Sequence, residues 1–348
     1  MTSHPLKISI FLFAIIGMLS SSTPSLAISE TGFQVQYAKE VVPFFKKSPE
    51  TFFIGADGIK IGYRAFKNPD ASSAIVLVNG YSQDLNWYSE LVYDLYKKGY
   101  SVYTFDHRGQ GFSGRLISDI HQGHIDDFEN LIADMHFFVS SIVKQNEKGP
   151  LFLLAHSMGA AVSAIYLAKY QNDFKAAVFS APMLKINLAP WNETVASAVA
   201  NFLCFFGLGS KVANASSDPA TVLFEKNETT QSRDRYLARL ERIKSDFPAR
   251  FLGTTFGWVK EAVGGSRKAR QSASQIATPL LVLEAEQETI VDPLAEEDFC
   301  RQAPHCSLEK MPTQHDIFSA SDVVRDHALN STLAFFRNDR TSEKRPNR

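Results

Sequence analysis

The sequence predicts an α/β fold with a mostly parallel central sheet, helices on both faces of the sheet and an inserted helical cap. Short apolar runs rich in β-branched residues alternate with segments of helical periodicity, a pattern typical of buried parallel strands. The alternation stops after Pro182 and resumes at Leu280. A chain of 348 residues, 45% of them hydrophobic, is long enough for one large core with an insertion.

The first 27 residues predict a secretory signal peptide. Lys7 precedes an apolar stretch from Ile8 to Leu19, and small residues at Ser25 and Ala27 predict cleavage after Ala27. We therefore expect a secreted or periplasmic protein. An uncleaved membrane anchor is the alternative, although the apolar stretch is shorter than the roughly 20 residues of a membrane-spanning helix.

Residues 28–183 predict the first part of the core. A β-hairpin is expected from Thr51 to Phe66, with a two-residue turn at Asp57-Gly58. The strands and helices that follow alternate along the chain. The predicted strands are Ala74–Val78, Ser101–Phe105, Leu151–Ala155 and Ala176–Phe179, and the predicted helices are Trp87–Lys98, Ile125–Lys144 and Ala160–Tyr170.

Residues 184–275 predict the cap, because they show helix-like segments and no comparable strand run. One of these segments, Val195–Leu208, is apolar on nearly every side. Such a helix either packs between cap and core or forms an acyl-binding wall or a lid that touches a membrane or micelle. A second helix is expected at Arg233–Lys244.

Residues 276–338 predict the second part of the core, and residues 339–348 a charged tail. The elements expected here are strands at Leu280–Leu283 and Ser307–Lys310 and helices at Leu294–Arg301 and Asp322–Phe336.

Charge and cysteine content restrict the class of protein. A formal net charge of −1 and an isoelectric point near 6.8 provide no general field that would favour nucleic acid. Cys300 and Cys306 are close enough in sequence to form a disulfide in an exported protein, which would leave Cys204 unpaired; three reduced thiols are the alternative. No cluster of cysteines and histidines predicts a zinc site.

The segment Leu151–Ala161 predicts a strand, a tight turn and a helix start, with Ser157 at the turn. A serine in a G-x-S-x-G turn is exposed as a nucleophile, and its small neighbours let strand and helix approach each other. Ala155 replaces the first glycine of that pattern. Ser157 either acts as the nucleophile or caps the following helix.

A serine nucleophile needs a general base and an acid, which follow it in the order acid, then histidine, in this kind of fold. His315 lies just after the last predicted strand and is the expected base. The acidic run after Leu283 supplies the acid: Glu288 is favoured and Asp292 is the alternative. Glu284 and Glu286 are expected in a solvated acidic loop.

Two backbone N–H groups are expected to stabilise the oxyanion. Met158 follows the nucleophile and supplies one of them. Tyr81 supplies the second, because the segment Asn79-Gly80-Tyr81 follows the strand Ala74–Val78 and places a glycine before the donor.

These segments together resemble the lysophospholipase and monoacylglycerol lipase family of the α/β-hydrolase fold, and bacterial lysophospholipases most closely. The resemblance covers nearly all of the chain after about Thr51; its motifs are Phe105–Arg115, Ala155–Gly159, Ser180–Met183 and Glu284–Asp292. It implies that Ser157 is the nucleophile, His315 the base and Glu288 the acid. Asn79 departs from the family pattern, since many relatives have histidine there.

The resemblance and the apolar cap imply a serine hydrolase that cleaves the ester of a lysophospholipid or monoacylglycerol through an acyl-enzyme on Ser157. This chemistry needs no metal and no organic cofactor. The cap is expected to make transient contact with a membrane or micelle, and no nucleic-acid partner is expected. The alternatives are a carboxylesterase for small soluble esters and a non-catalytic binding protein of the same fold.

Asp106-His107-Arg108 is a polar triplet between a predicted strand and two glycines. It predicts a loop held by hydrogen bonds and by an internal Asp106–Arg108 pair, in preference to a second active site.

Overall fold

The computed structural model describes residues 27–215, 218, 221–245 and 253–342. Its strands, numbered along the chain, are β1 (Thr51–Ile54), β2 (Lys60–Phe66), β3 (Ala74–Val78), β4 (Ser101–Phe105), β5 (Gln122–Gly123), β6 (Leu151–His156), β7 (Ala176–Ser180), β8 (Val212–Ala215), β9 (Gly253–Thr255), β10 (Leu280–Ala285) and β11 (Cys306–Met311).

The α-helices are α1 (Phe33–Gln36), α2 (Val42–Lys46), α3 (Ser89–Lys97), α4 (Phe128–Phe137), α5 (Lys144–Asn146), α6 (Met158–Lys169), α7 (Glu193–Phe205), α8 (Arg233–Ser245), α9 (Phe256–Gln271), α10 (Pro293–Gln302) and α11 (Asp322–Ser342). The α4 helix continues into α5 through a π-helical segment at Phe138–Val143.

An eight-stranded sheet forms the centre of the molecule, in the order β1–β2–β4–β3–β6–β7–β10–β11. The hairpin β1–β2 and the pair β2–β4 are antiparallel, and every other pair in this sheet is parallel. Every residue of β3, β4, β6, β7 and β10 is buried, as expected for strands covered on both faces. The predicted α/β-hydrolase fold is thus confirmed.

Side chains alternate between two apolar layers, one on each face of the sheet. Val76 and Val78 of β3 pack in the layer that contains α4, α6, α9 and α10. Ile75 and Leu77 of the same strand pack in the layer that contains α3 and α11. Because neighbouring strand residues point to opposite faces, one apolar strand contributes to both layers.

The segment predicted as a helical cap also contains two short strands, β8 and β9, which the sequence analysis did not predict. β8 and β9 pair with each other and, through β9, with β5 to form a small second sheet. Strands of two to four residues are too short to show a period-2 pattern. In addition, α9 packs against α6 and contributes Trp258 and Ala262 to the main core.

Two local expectations also need correction. The β1–β2 hairpin forms, but Ile54 pairs with Lys60, so its loop contains five residues, not two. Asp57 and Gly58 both have positive φ there, and the Gly55 N–H donates to the Ile59 carbonyl to close the loop. The last helix continues to Ser342, into the predicted charged tail, whose residues 343–348 lie outside the described residues.

The predicted signal peptide, apart from Ala27, lies outside the described residues. Within the described part of the chain, no helix combines the length and the apolar character that a membrane span requires. Cys300 and Cys306 form a disulfide between α10 and β11, whereas Cys204 is a free thiol.

Candidate active site

Ser157 sits between β6 and α6 in a strained backbone conformation, with φ 49° and ψ −119°. Its N–H donates to the Ser180 carbonyl of the neighbouring strand at 3.0 Å. A Cβ at Gly159 would lie 2.3 Å from the Asn79 carbonyl oxygen, so the start of α6 can approach β3 only because this residue is glycine. The side chain of Ser157 is thereby held at the carboxyl end of the central strands.

Ser157, His315 and Glu288 form a continuous hydrogen-bonded chain. The His315 Nε2 atom is 3.0 Å from the Ser157 Oγ atom, and the His315 Nδ1 atom is 2.6 Å from the Glu288 Oε2 atom. Ser157 and His315 are both buried. The three residues come from separate loops after β6, β10 and β11, so the parallel sheet brings them together.

Backbone donors hold the other carboxylate oxygen of Glu288. The N–H groups of Thr289, Ile290 and Val291 donate to its Oε1 atom at 2.9, 2.7 and 3.3 Å. Burial raises the pKa of Glu288, but the hydrogen bond from His315 and these backbone donors outweigh burial and leave the pKa below its ordinary value. The carboxylate is therefore charged at neutral pH and fixed in orientation.

The structure places Asp292 in a different environment. Its carboxylate accepts a hydrogen bond from the Leu294 N–H at 3.0 Å, which caps α10, and pairs with Lys185 at 2.7 Å. The hydrogen bond from Lys185 lowers the pKa of this carboxyl. Asp292 thus links a cap residue to α10.

Of the other two acidic residues in that run, only Glu286 is exposed as expected. The expectation of a solvated Glu284 was wrong, because it is the fifth residue of β10 and is buried. Lys310 on the adjacent strand β11 pairs with it at 3.0 Å.

The loop expected to form the oxyanion hole touches the nucleophile. A Cβ at Gly80 would lie 3.1 Å from the Ser157 Cβ atom, so any larger residue here would crowd the nucleophile. The Gly80 N–H donates to the Gln83 Oε1 atom at 2.7 Å, and the Gln110 amide donates to the Gly80 carbonyl at 2.8 Å. The sequence analysis missed Gln83 and Gln110. Gln83 lies only three residues after Gly80 but in no motif that marks it, and Gln110 is brought near Gly80 by folding.

Of the two residues expected to supply N–H donors, Met158 directly follows Ser157 and Tyr81 directly follows Gly80. Met158 is the first residue of α6, where helix N–H groups have no partner within the helix. Tyr81 follows Gly80, and its side chain packs on Trp258 with ring centroids 4.5 Å apart. The Tyr81 hydroxyl donates to the Gly253 carbonyl at 3.0 Å. The side chain thus joins the loop after β3 to the second sheet.

The triplet Asp106-His107-Arg108 holds this region together, but not through the expected internal ion pair. Arg108 makes a bidentate pair with Asp134 of α4, at 2.7 and 3.0 Å. Asp106 instead accepts hydrogen bonds from the Asn79 side-chain amide at 3.3 Å and the Phe112 N–H at 2.7 Å. Asn79 therefore fits its site as a donor to a buried carboxyl.

Two buried histidines next to the site are neutral. His107 hydrogen-bonds to the Asn79 carbonyl through Nε2, and burial lowers its pKa to about 4. His156 hydrogen-bonds to the Ser180 carbonyl through Nδ1, and burial together with the nearby His315 lowers its pKa to about 4. The ring centroids of His156 and His315 are 4.8 Å apart. The neutral His156 ring therefore packs against the His315 ring.

The outer face of α7 is apolar and exposed. The exposed fractions are 63% for Phe202 and 84% for Phe205 of this helix, and 61% for Phe206, which directly follows it. Ala200 is the buried residue of the helix. Of the two alternatives left open for this helix, packing between cap and core therefore does not describe its aromatic residues. Beside it lies a cavity of about 500 Å³ between the 187–191 loop, α7 and α9, with Leu188, Trp191, Val199, Phe256 and Val259 in its wall.

The sequence of the chain is similar to a known protein family and to bacterial proteins named as lysophospholipases. Residues 69–319 match the sequence profile of the family described as serine aminopeptidase, S33. The chain is 32% identical over 313 residues to a probable lysophospholipase L2 of Haemophilus influenzae, covering 88% of this chain and 98% of that protein. It is 30% identical over 325 residues to lysophospholipase L2 of Escherichia coli strain K12, covering 88% and 93%.

Solved structures show the same fold. A soluble variant of monoglyceride lipase from Saccharomyces cerevisiae, in complex with a substrate analogue, has a TM-score of 0.65 at 21% identity and covers 84% of this chain and 96% of its own. A thermostable carboxyl esterase from Bacillus coagulans, in complex with glycerol, has a TM-score of 0.68 at 14% identity, covering 84% and 98%.

Proposed function

Since the chain belongs to the serine aminopeptidase S33 family of α/β-hydrolases, we propose that it hydrolyses the carboxylic ester of a single-chain lipid, either a lysophospholipid or a monoacylglycerol. The observation that carries this proposal is the hydrogen-bonded chain from Ser157 through His315 to Glu288. The names of the relatives support the substrate class: two are called lysophospholipases, and a structural neighbour is a monoglyceride lipase.

The reaction begins when the Ser157 Oγ atom attacks the ester carbonyl carbon. His315 accepts the hydroxyl proton at Nε2, and Glu288 accepts the Nδ1–H hydrogen bond, which keeps the imidazole in the required tautomer. The tetrahedral intermediate collapses when His315 gives its proton to the departing alcohol. Water then attacks the acyl-Ser157 ester, again with His315 as base, and releases the fatty acid.

The N–H groups of Met158 and Tyr81 stabilise the oxyanion in this mechanism. Two features support the assignment: Met158 opens α6, and Gly80 brings the preceding loop into contact with Ser157. The Gln83 side-chain oxygen accepts the N–H of that glycine, and the Gln110 side-chain amide donates to its carbonyl. Donors fixed before the reaction need no reorganisation when charge develops.

The cap contacts the lipid surface from which the substrate leaves. The exposed aromatic residues of α7 support this contact, because a contiguous apolar surface of this kind favours an apolar partner. The adjacent cavity of about 500 Å³ has a mainly apolar wall, which suits an acyl chain.

The enzyme acts outside the cytoplasm, after cleavage behind Ala27, or remains anchored if its signal is not cleaved. The N-terminal sequence pattern supports export. The Cys300–Cys306 disulfide is consistent with an oxidising compartment. N-terminal sequencing of the protein recovered from its producing cells would test the cleavage position.

The decisive experiment measures fatty-acid release from a lysophospholipid, a monoacylglycerol and a short-chain ester, with the purified protein and Ser157→Ala. We expect the longer substrates to be hydrolysed and the variant to lose roughly a millionfold in kcat. Preference for the short ester would instead favour a carboxylesterase of small soluble substrates. Equal lipid binding without hydrolysis by either protein would favour the non-catalytic binding protein.

A further inference from the structure

We propose that Asp316 is a positioning residue that couples the cap to the catalytic groups, because it connects cap residues with both the His315 loop and the oxyanion loop. The inference rests on the proposed function, since it takes His315 as the base and the Gly80 loop as part of the oxyanion hole. Asp316 directly follows His315 and has no place in the chemical steps.

The Asp316 carboxylate is 1% exposed and accepts hydrogen bonds from three side chains. The Trp87 Nε1–H and an Arg239 N–H donate to its Oδ2 atom at 2.9 and 3.2 Å, and the Tyr88 hydroxyl donates to its Oδ1 atom at 3.0 Å. A buried carboxylate is stable only when charge and hydrogen bonds compensate for its lost hydration. Asp316 therefore requires these donors to stay in place.

Charge favours the ionised form of this group. Burial raises the pKa of Asp316, but the interactions with His156, Arg239 and the two aromatic donors outweigh it and leave the pKa below its ordinary value. Because the pKa of His156 is lowered to about 4, that ring is uncharged at neutral pH. At neutral pH the compensating positive charge is then that of Arg239.

The cap holds Asp316 through both its side chain and its backbone. Arg239 lies on α8, and its second terminal nitrogen donates to the Thr229 hydroxyl at 2.8 Å. The Thr229 carbonyl in turn accepts the Asp316 N–H at 2.8 Å. The Arg239 guanidinium also lies 4.6 Å from the centre of the Trp87 ring. Arg239, Thr229 and Asp316 form a closed set of contacts, so moving α8 would displace the residue next to His315.

A second series of hydrogen bonds runs from Asp316 to the oxyanion loop. Tyr88, which donates to Asp316, accepts a hydrogen bond from the Gln83 amide at 3.3 Å. The Oε1 atom of the same Gln83 amide accepts the Gly80 N–H at 2.7 Å. The two ends of this series are adjacent in sequence to His315 and Tyr81. Asp316 thus links the two parts of the site that must be aligned in the transition state.

The same helix offers a matched control. Arg242 lies one turn after Arg239 on α8 and pairs with the buried carboxylate of Asp84 at 2.7 Å. It is an ion pair of the same kind between cap and core, but it does not hydrogen-bond Asp316. Loss of either arginine leaves a buried acid without its cation, and only the loss of Arg239 is expected to misplace His315.

The experiment measures kcat and KM for a soluble short-chain ester with Asp316→Asn, Arg239→Met, Arg239→Lys and Arg242→Met. We expect Asp316→Asn and Arg239→Met to lower kcat about tenfold to a hundredfold with little change in KM, since small misplacements of catalytic groups have effects of that size. Arg239→Lys should recover much of the loss, and Arg242→Met should stay within about twofold of the wild type in kcat. Melting curves define a temperature at which every variant is folded.

An equal loss of kcat in Arg242→Met, or an unchanged kcat in Asp316→Asn, would overturn the inference. If Asp316→Asn does not fold, the comparison of Arg239→Met with Arg239→Lys and Arg242→Met decides it. Ser157→Ala is assayed in parallel: retained activity in that variant would overturn the proposed function itself, whereas its loss beside an active Asp316→Asn rejects the positioning role alone.

Discussion

The loops around Ser157 and the outer face of α7 differ in which side chains they bury and which they expose to water. Around Ser157, buried polar groups are joined by short hydrogen bonds, and Glu288 accepts four of them. On α7, aromatic side chains that would pack well in a core lie in water instead. The first region is arranged before any substrate arrives, whereas the second gains free energy only when an apolar partner covers it.

The two regions also differ in what holds their residues in place. Ser157 keeps a positive φ because strand, helix and neighbouring loop all fix its position. In α7, Phe202 and Phe205 contact Phe206, with ring centroids 4.9 and 5.3 Å apart, and form a small apolar cluster on the surface. We therefore expect substitutions in the first region to affect chemistry, and substitutions in the second to affect access to lipid.

The largest effect should come from the acid that orients His315. Glu288→Gln replaces an acceptor by a group that can present an N–H to the imidazole, and we expect kcat/KM to fall about ten-thousandfold, as when a triad acid becomes an amide. Asp292→Asn should cost less than about tenfold, because Asp292 contacts Lys185 and the start of α10 instead of His315. The assay is hydrolysis of a short soluble ester. A greater loss in Asp292→Asn would reassign the triad acid.

A smaller, substrate-dependent effect should come from the surface of α7. The variant with Phe202, Phe205 and Phe206 all changed to serine should lose about tenfold or more in the hydrolysis of lysophospholipid held in vesicles, because each buried phenyl ring contributes about 1.5–3 kcal/mol to transfer from water. Its rate on a soluble short ester should match the wild type. Both rates are measured on the same preparation.

Val323→Ser is the control for this experiment, since Val323 is 82% exposed on α11 and lies outside the cap. It should leave both rates unchanged. Equal losses on vesicles and on the soluble ester in the triple variant would show that the aromatic cluster supports folding of the site and not contact with lipid.

The contrast between the two regions also explains what the sequence can predict. The turn at Ser157 is encoded locally, since a strand, small residues and a helix start follow one another within eleven residues. The positions of the core strands along the chain could be predicted because buried parallel strands form continuous apolar runs. The cap strands β8 and β9 could not, because they are short and neither forms a continuous apolar run.

Partners distant in sequence escaped prediction for a physical reason. Arg108 has an acid two residues away, yet its partner is Asp134, which folding places beside it. Glu284 is buried in β10, and its partner Lys310 lies on the next strand. In both cases the charge pattern along the chain is uninformative, since ion-pair partners are chosen by the packing of elements.

One buried residue near the triad does not follow the rule that polar groups there are paired. Glu296 on α10 is 0% exposed, and neither of its carboxylate oxygens has a hydrogen-bond partner among the described residues. Burial, followed by repulsion from Glu288, Glu284 and Asp292, holds the pKa of Glu296 well above its ordinary value. Two glutamates eight positions apart thus have pKa values shifted in opposite directions.

This arrangement predicts a pH-dependent cost in stability. Above the ordinary carboxyl pKa of about 4.3, the unfolded chain releases the Glu296 proton while the folded protein retains it, so the free energy of unfolding falls as pH rises through this range. Glu296→Gln is neutral in both states and removes the dependence. We expect the variant to have the same free energy of unfolding as the wild type near the ordinary carboxyl pKa, and to be more stable than the wild type at pH 8 by about 1–3 kcal/mol.

Urea unfolding of the wild type and of Glu296→Gln, from about the ordinary carboxyl pKa to pH 8, measures the difference in their free energies of unfolding. The titration of all other groups cancels from this difference to first order. Glu286→Gln serves as control, because Glu286 is an exposed carboxylate in the acidic run Glu284–Asp292 and its replacement should change stability by less than about 0.5 kcal/mol. A stability difference that is the same at both ends of the range would mean that Glu296 is ionised in the folded protein. In that case a cation or donor must reach it, and the contrast between the paired triad loops and this residue would disappear.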